Sequence, residues 1–218
     1  MLNGVTLEAV NVYKYLGFHL DDRLTYAHHV AYVKSRILPY IAMLKRLRSL
    51  IPESLSLSAY YAYVHSHLSH MVAVWGFSYE YLMEQVQVLQ NRAIRFVFWK
   101  DYNQNGLPTE EIYQKYSILK VRQLLKYDAI MNIYKMSPGL LRLNKDLMTF
   151  DQIHGYGTRY RTDFVLPLTR TSAAQRSLFS RGLAWFNSLP PQLKLQPSFL
   201  SFKRSLKTFI MNERIATR

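Results

Sequence analysis

Cysteine is absent from the 218 residues, which excludes a disulfide framework and any thiolate metal site and fits a reducing compartment. Negative charge is scarce: 14 Asp and Glu stand against 28 Lys and Arg, a formal net charge of +14. That imbalance points to a polyanionic partner, with nucleic acid favoured over a membrane surface. Nucleotide and acyl-transfer motifs are missing too. Gly155-Tyr156-Gly157-Thr158 precedes no strand-to-helix unit, so it is no phosphate loop, and no G-x-S-x-G elbow occurs. Met1 opens no charged-then-apolar pattern, so no secretory leader is expected, and the expected location is nuclear or cytoplasmic. There is no internal repeat and no low-complexity tract.

A different gap lies between Glu53 and Glu80, where no Asp, Glu, Lys or Arg appears. About 20 apolar residues would suffice to span a bilayer. This stretch, however, carries Ser54, Ser56, Ser58, Ser66, Ser69, His65, His67 and His70, each costly in hydrocarbon. It reads as a buried core helix, and no membrane partner is expected.

Hydrophobic residues make up 49% and charged residues 19%, a composition that can bury a core. The positive charge is uneven. Residues 1–151 hold 17 basic against 12 acidic side chains, whereas residues 152–218 hold 11 against 2. Asn3-Gly4 is a two-residue hairpin signal with only Met1 and Leu2 before it, as though the chain begins inside a larger fold. Val10 to Leu20 is β-branched and aromatic and reads as one strand.

The pattern then turns helical. Asp21 or Asp22 is placed to cap a helix running to about Arg48, with Val30, Val33, Ile37, Ile41 and Leu44 at three- and four-residue spacing. Pro39 should kink or split it. Pro52 fits the first turn of a second helix reaching about Val74, before Trp75-Gly76. A third begins near Tyr79 and aligns Leu82, Val86, Leu89, Ala93, Ile94 and Val97. Asp101 to Pro108 reads as a polar turn region, followed by helices at Thr109–Tyr116 and Lys120–Met136. Residues 140–171 read as an extended basic connector, and helices at about 172–184 and 198–213 finish the chain.

Tests for catalytic chemistry fail. In Gly17-Phe18-His19-Leu20-Asp21-Asp22 the adjacent aspartates resemble a polymerase metal pair. His19 occupies the place of the required aromatic residue, and no third carboxylate stands upstream on a separate strand. Among the histidines, His67 and His70 lie ~60° apart on a helix, but His65 is offset by ~140° from His70. Three ligands therefore do not converge, and no catalytic residue, metal site or cofactor is expected.

Binding features are stronger. His154-Gly155-Tyr156-Gly157-Thr158-Arg159-Tyr160-Arg161 interleaves arginines, which neutralise phosphates, with rings that stack on bases. In the last helix Phe199, Phe202, Leu206, Phe209 and Ile210 form a buried stripe, with Lys203, Lys207 and Arg214 off it and Arg204 at its border. Lys45, Arg46 and Arg48 close the first helix, where cations also suit the helix dipole. Arg181 to Pro191 sets Trp185 and Phe186 beside the stop signal Asn187-Ser188-Leu189-Pro190-Pro191.

Taken in order, these segments resemble the C-terminal part of the reverse transcriptase polyprotein of jockey-like non-LTR retrotransposons. Tyr13-Lys14-Tyr15-Leu16-Gly17-Phe18 is similar to the family's Lys-aromatic-Leu-Gly strand. Leu24-Thr25-Tyr26-Ala27-His28-His29-Val30 resembles its Leu-Thr-Trp-x-x-His-Ile, with Tyr26 in place of tryptophan. His67 through Gly76 resembles Leu-x-Tyr-Gly-x-x-Val-Trp-Gly, departing at His70 and Met71, and Leu89-Gln90-Asn91-Arg92-Ala93-Ile94-Arg95 resembles Leu-Gln-x-Arg-Ala-Leu-Arg. His154 through Arg159 is similar to His-x-Tyr-x-Thr-Arg. Gly182 through Pro190, with Phe202-Lys203 and Leu206-Lys207, resembles the family's ending, Phe186 being inserted between Trp185 and Asn187.

The resemblance implies a primer-grip element at Tyr15, Leu16 and Gly17, followed by thumb and C-terminal extension. The palm carboxylates, and the Mg2+ a full-length enzyme uses, would lie on a missing upstream palm domain. The expectation is a mainly α fold: a multi-helix thumb-like bundle with a small N-terminal β-hairpin element and a basic helical C-terminal part. Its expected divisions are 1–24, 25–139, 140–171 and 172–218. The expected function is a non-catalytic fragment of an RNA-directed DNA polymerase that binds RNA template, RNA–DNA hybrid or DNA. Its candidate contacts are Lys45, Arg46, Arg48, Arg92, Arg95, Arg159, Arg161, Lys203, Arg204 and Lys207. A protein-interaction module and a transposon remnant without function stay open as alternatives.

Overall fold

The computed structural model describes residues 10–136, 147–153 and 162–213. The described chain is mainly helical with one two-stranded antiparallel sheet near its start. It divides into two compact units. One holds the described residues up to Met71 together with Ser78–Gly106. The other holds Val72–Phe77 together with the described residues from Leu107 onward. The division therefore falls inside the span 25–139. The Asn3-Gly4 turn lies outside the described residues.

In the first unit, β1 (Val12–Tyr15) and β2 (Phe18–Asp21) pair with Tyr15 opposite Phe18. The single strand expected over Val10–Leu20 is thus a hairpin. Its two turn residues, Leu16 and Gly17, have φ of 47° and 80°, as a two-residue primed turn requires. Glycine meets that demand without strain, while leucine rarely adopts it, which is why the turn does not stand out in the sequence.

Asp21 does not cap the first helix directly. Its Oδ1 accepts the Thr25 amide at 2.8 Å and its Oδ2 accepts the Tyr26 amide at 2.7 Å, pinning the loop into α1 (Ala27–Leu47). Burial pushes this carboxyl's pKa up, but the Thr25, Tyr26 and Arg23 hydrogen bonds outweigh it and hold it below the ordinary value. Both oxygens are engaged, consistent with a structural rather than a metal-binding aspartate. Pro39 lies inside α1, which continues as one helix to Leu47.

The second expected helix is broken into pieces. α2 (Glu53–Ala59) passes into a π-helical segment, Tyr60–His65, and then α3 (Ser66–Ser69). The helix stops where Met71 takes φ of 52°, and α4 (Val72–Trp75) belongs to the other unit. α5 (Glu80–Val97) buries the expected stripe together with Met83 and Gln90. Lys34 donates to Gln85 and the Arg48 guanidinium sits over Trp99, two pairs each 51 residues apart, so α1 and α5 run parallel in register. The α2–α3 run must then return antiparallel to both. Its Tyr60 is fully buried, with the hydroxyl accepting from Gln90 Nε2 at 3.0 Å. The expected polar turn after α5 holds a π-helical turn, Lys100–Gln104.

In the second unit, α6 (Thr109–Lys115) leads to α7 (Val121–Met136), which is apolar on several sides and is packed by α4 and by later helices. The described residues of the expected 140–171 connector carry structure of their own. Thr149 bridges Phe164, and α8 covers Phe150–Ile153. Next come α9 (Ser172–Gln175), a π turn at Leu178–Gly182, α10 (Leu183–Asn187), α11 (Pro191–Lys194) and α12 (Phe199–Asn212). Ser198 caps α12 by accepting the Ser201 amide. Trp185 stacks on Phe77 at 5.6 Å, and Asn187 both accepts from the Phe164 amide and donates to its carbonyl. Tyr134 of α7 lies flat on Phe202 at 4.0 Å, and Lys126 pairs with Glu213.

Two outcomes follow for stability. A Cβ on Gly76 would lie 2.5 Å from the Val72 carbonyl oxygen and 2.8 Å from Leu125. Gly76→Ala should therefore cost about 1–3 kcal/mol in urea unfolding. Gly182→Ala, which meets chiefly the flexible Leu178 side chain, should be close to neutral. His29 is 1% exposed, and burial, then its neighbours His19 and His70, lower its pKa from 6.5 to about 4. Below pH 6.5 the unfolded chain takes up that proton first, so stability is full above about 6.5 and falls toward 4. A loss of about 1–2 kcal/mol between pH 7.5 and 5.0 is expected, reduced in His29→Gln. An unchanged urea midpoint would contradict it.

Candidate nucleic-acid interface

Parallel packing in register carries the C-terminal ends of α1 and α5 to one end of the first unit. Lys45 and Arg46 are exposed on the last turn of α1, and Arg48 is half-buried just past it. The Arg48 guanidinium stacks 4.2 Å from the Trp99 ring centroid while one of its nitrogens donates to the Lys45 carbonyl at 3.0 Å. Arg95 lies 5.1 Å from the Tyr102 centroid, and exposed Lys100 stands between the two rings in sequence. Lys45, Arg46 and Arg48, with Ala42 and Ser49, line an open depression of about 500 Å³.

Carboxylates at this end are few. Asp101 is buried and receives the Asn105 amide at 3.1 Å. Elsewhere acids are matched with bases: Glu110 with Lys120, Glu213 with Lys126, and Asp163 with Lys194. Lys45, Arg46 and Lys100 make no ion pair among the described residues. Stacking on an indole holds a guanidinium flat with its N–H edge outward, a geometry suited to a phosphate oxygen.

The other candidates fall in different places. Arg92 is exposed about one turn before Arg95 on α5. In the second unit Phe202, Leu206 and Ile210 of α12 are buried, Phe199 and Phe209 half-buried, Lys203 and Arg204 exposed, and Lys207 half-buried. Arg159 and Arg161 lie outside the described residues. Tyr15, Leu16 and Gly17 form the hairpin tip, where Leu16 is 71% exposed and its carbonyl meets His70 Nε2 at 3.2 Å.

Trp99, Lys100 and Tyr102 are the members that sequence reading missed. Trp99-Lys100-Asp101-Tyr102 interleaves basic and aromatic residues just as the His154–Arg161 segment does, but it stands at a helix end and reads there as a boundary. Among the described residues no group of three or more His, Asp or Glu side chains is placed to hold a metal ion. No described helix is long and apolar enough to cross a membrane. No protein-family model, curated protein or solved structure matches the chain.

The stack and the solvated cations should behave differently on truncation. Arg48→Ala is expected to lower stability by about 1 kcal/mol through loss of the indole contact. Lys45→Ala and Arg46→Ala should stay within about 0.5 kcal/mol of the parent. Urea midpoints of the three variants check this, and a large loss at Lys45 or Arg46 would make them structural.

Proposed function

We propose that the chain is a non-catalytic nucleic-acid-binding segment of the thumb-side kind found in non-LTR retrotransposon reverse transcriptases. In this reading phosphates are held at the shared end of α1 and α5. The carrying observation is the group of exposed, unneutralised cations Lys45, Arg46 and Lys100 around the Arg48–Trp99 stack. Lys203, Arg204 and Lys207 supply a further basic face on α12. The ordered resemblance along the chain adds the polymerase context, and the palm chemistry and its Mg2+ would belong to residues upstream.

Four cations at one site set a scale for the salt dependence. Neutralising about four phosphates gives a slope of log K against log salt near −3 for a single strand and near −3.6 for a duplex. Fluorescence anisotropy of labelled oligonucleotides from 50 to 300 mM salt measures it. Lys45→Glu with Arg46→Glu should weaken binding and flatten the slope by about 2. Absence of binding at the lowest salt would sink the proposal. An unchanged slope in the double variant would move the contact elsewhere.

A second reading, protein docking, rests on the hairpin, where Tyr13 and Tyr15 are each 59% exposed beside Leu16. Partner capture through Tyr13 and Tyr15 that survives high salt and nuclease treatment would favour it.

A further inference from the structure

On the side of the first unit formed by α1 and the α2–α3 run, three rings from two helices line up. Tyr40 of α1 stacks on Tyr63 with centroids 4.7 Å apart and planes 16° apart, and on its other neighbour, His67, at 6.5 Å and 21°. Tyr63 lies within the π-helical segment Tyr60–His65, and His67 follows it in α3. Such a segment gains one residue per turn over α-helix and re-aims the side chains that follow, a feature frequent at functional sites. Tyr60 thereby goes fully into the core, whereas Tyr63 projects outward and is 46% exposed. Tyr63 has no second ring partner among the described residues and ends the column as a partly exposed ring.

Positive charge stands beside the column. Arg36 lies one helical turn before Tyr40 on α1, is exposed, and makes no ion pair among the described residues. Burial, then the Arg36 charge beside it, lowers the pKa of His67, which favours its neutral ring. An exposed ring at the Tyr63 end and an unneutralised guanidinium at the His67 end match a nucleobase and a phosphate of the same strand. Bases inside a duplex are already stacked on one another, whereas those of a single strand are free to stack on protein.

Building on the nucleic-acid reading above, we infer that the Tyr63–Tyr40–His67 column is a base-stacking platform for single-stranded nucleic acid. Arg36, beside His67, holds a phosphate of the same strand, and duplex does not use this surface. RNA and DNA strands share this chemistry, so both are tested.

The test titrates the full chain with labelled oligo-dT, oligo-U and a duplex of equal length at low salt. Tyr63→Ala and Tyr63→Leu should weaken single-strand binding about 5- to 100-fold. Duplex binding should stay within about twofold, and Tyr63→Phe, which keeps the ring, should bind like the parent. Circular dichroism melts confirm that each variant is folded, and the leucine variant keeps apolar bulk where alanine leaves a gap. Equal loss for single strand and duplex, or no loss for either, overturns the platform. If Lys45→Glu with Arg46→Glu still weakens binding while Tyr63→Ala does not, the platform fails and the phosphate site stands. If no oligonucleotide binds the parent chain, both fall.

Discussion

The register of α1 against α5 is the constraint from which the first unit follows. Val30, Val33, Ile37, Ile41 and Leu44 offer one apolar stripe, and Leu82, Val86, Leu89, Ala93, Ile94 and Val97 offer the other. Apolar stripes alone tolerate sliding, because burying area is non-directional. The buried Tyr60–Gln90 hydrogen bond does not tolerate it, since a slip would part the Tyr60 hydroxyl from Gln90 Nε2 inside the core. Such a loss costs about 1–3 kcal/mol per group. This polar pair therefore fixes the axial position of α5 against the return segment, which itself packs on α1.

The second unit solves a different problem. α7 is apolar on several sides, so it needs covering from more than one direction, and α4, α10 and α12 supply this. The segment around Trp185 is built for that purpose. Trp185 stacks on Phe77, Phe186 packs on Phe164, and Asn187 holds the Phe164 backbone from both its donor and its acceptor side. Lys194 then closes the corner by donating to Asp163 and to the Asn187 carbonyl. The most distinctive stretch of the sequence is thus explained by packing.

Periodicity made the helices legible and left the special backbone hidden. Apolar spacing locates α1, α5 and α12 to within a few residues, because a buried stripe must repeat with the helix. The hairpin turn and the break after His70 depend on positive φ at Leu16 and Met71, residues that seldom take it, and Gly17 alone is a weak signal of the turn. The π-helical segments are equally silent, since a one-residue insertion leaves the same polar and apolar letters in place. For the candidate site, the cations at the end of α1 were legible as charge. Their partners Trp99, Lys100 and Tyr102 were not, because a register of 51 residues is a tertiary fact.

Cations at helix C-termini have a simpler explanation, namely the macrodipole, and magnitudes decide between the two. Each helix end carries about half a negative charge, so the ends of α1 and α5 together account for about one. The start of α2 at the same end returns about half a positive charge. Asp101 and Glu53 each remove one positive charge. Against these stand Lys45, Arg46, Arg48, Arg95 and Lys100. About two to three positive charges are left without a counter-charge in the described residues. Fields within about 8–10 Å are only partly screened at physiological salt, so these side chains repel one another in the free protein. A surface kept in that state gains most from a ligand carrying several negative charges at close spacing. A phosphate backbone meets that requirement, whereas a single acidic side chain does not.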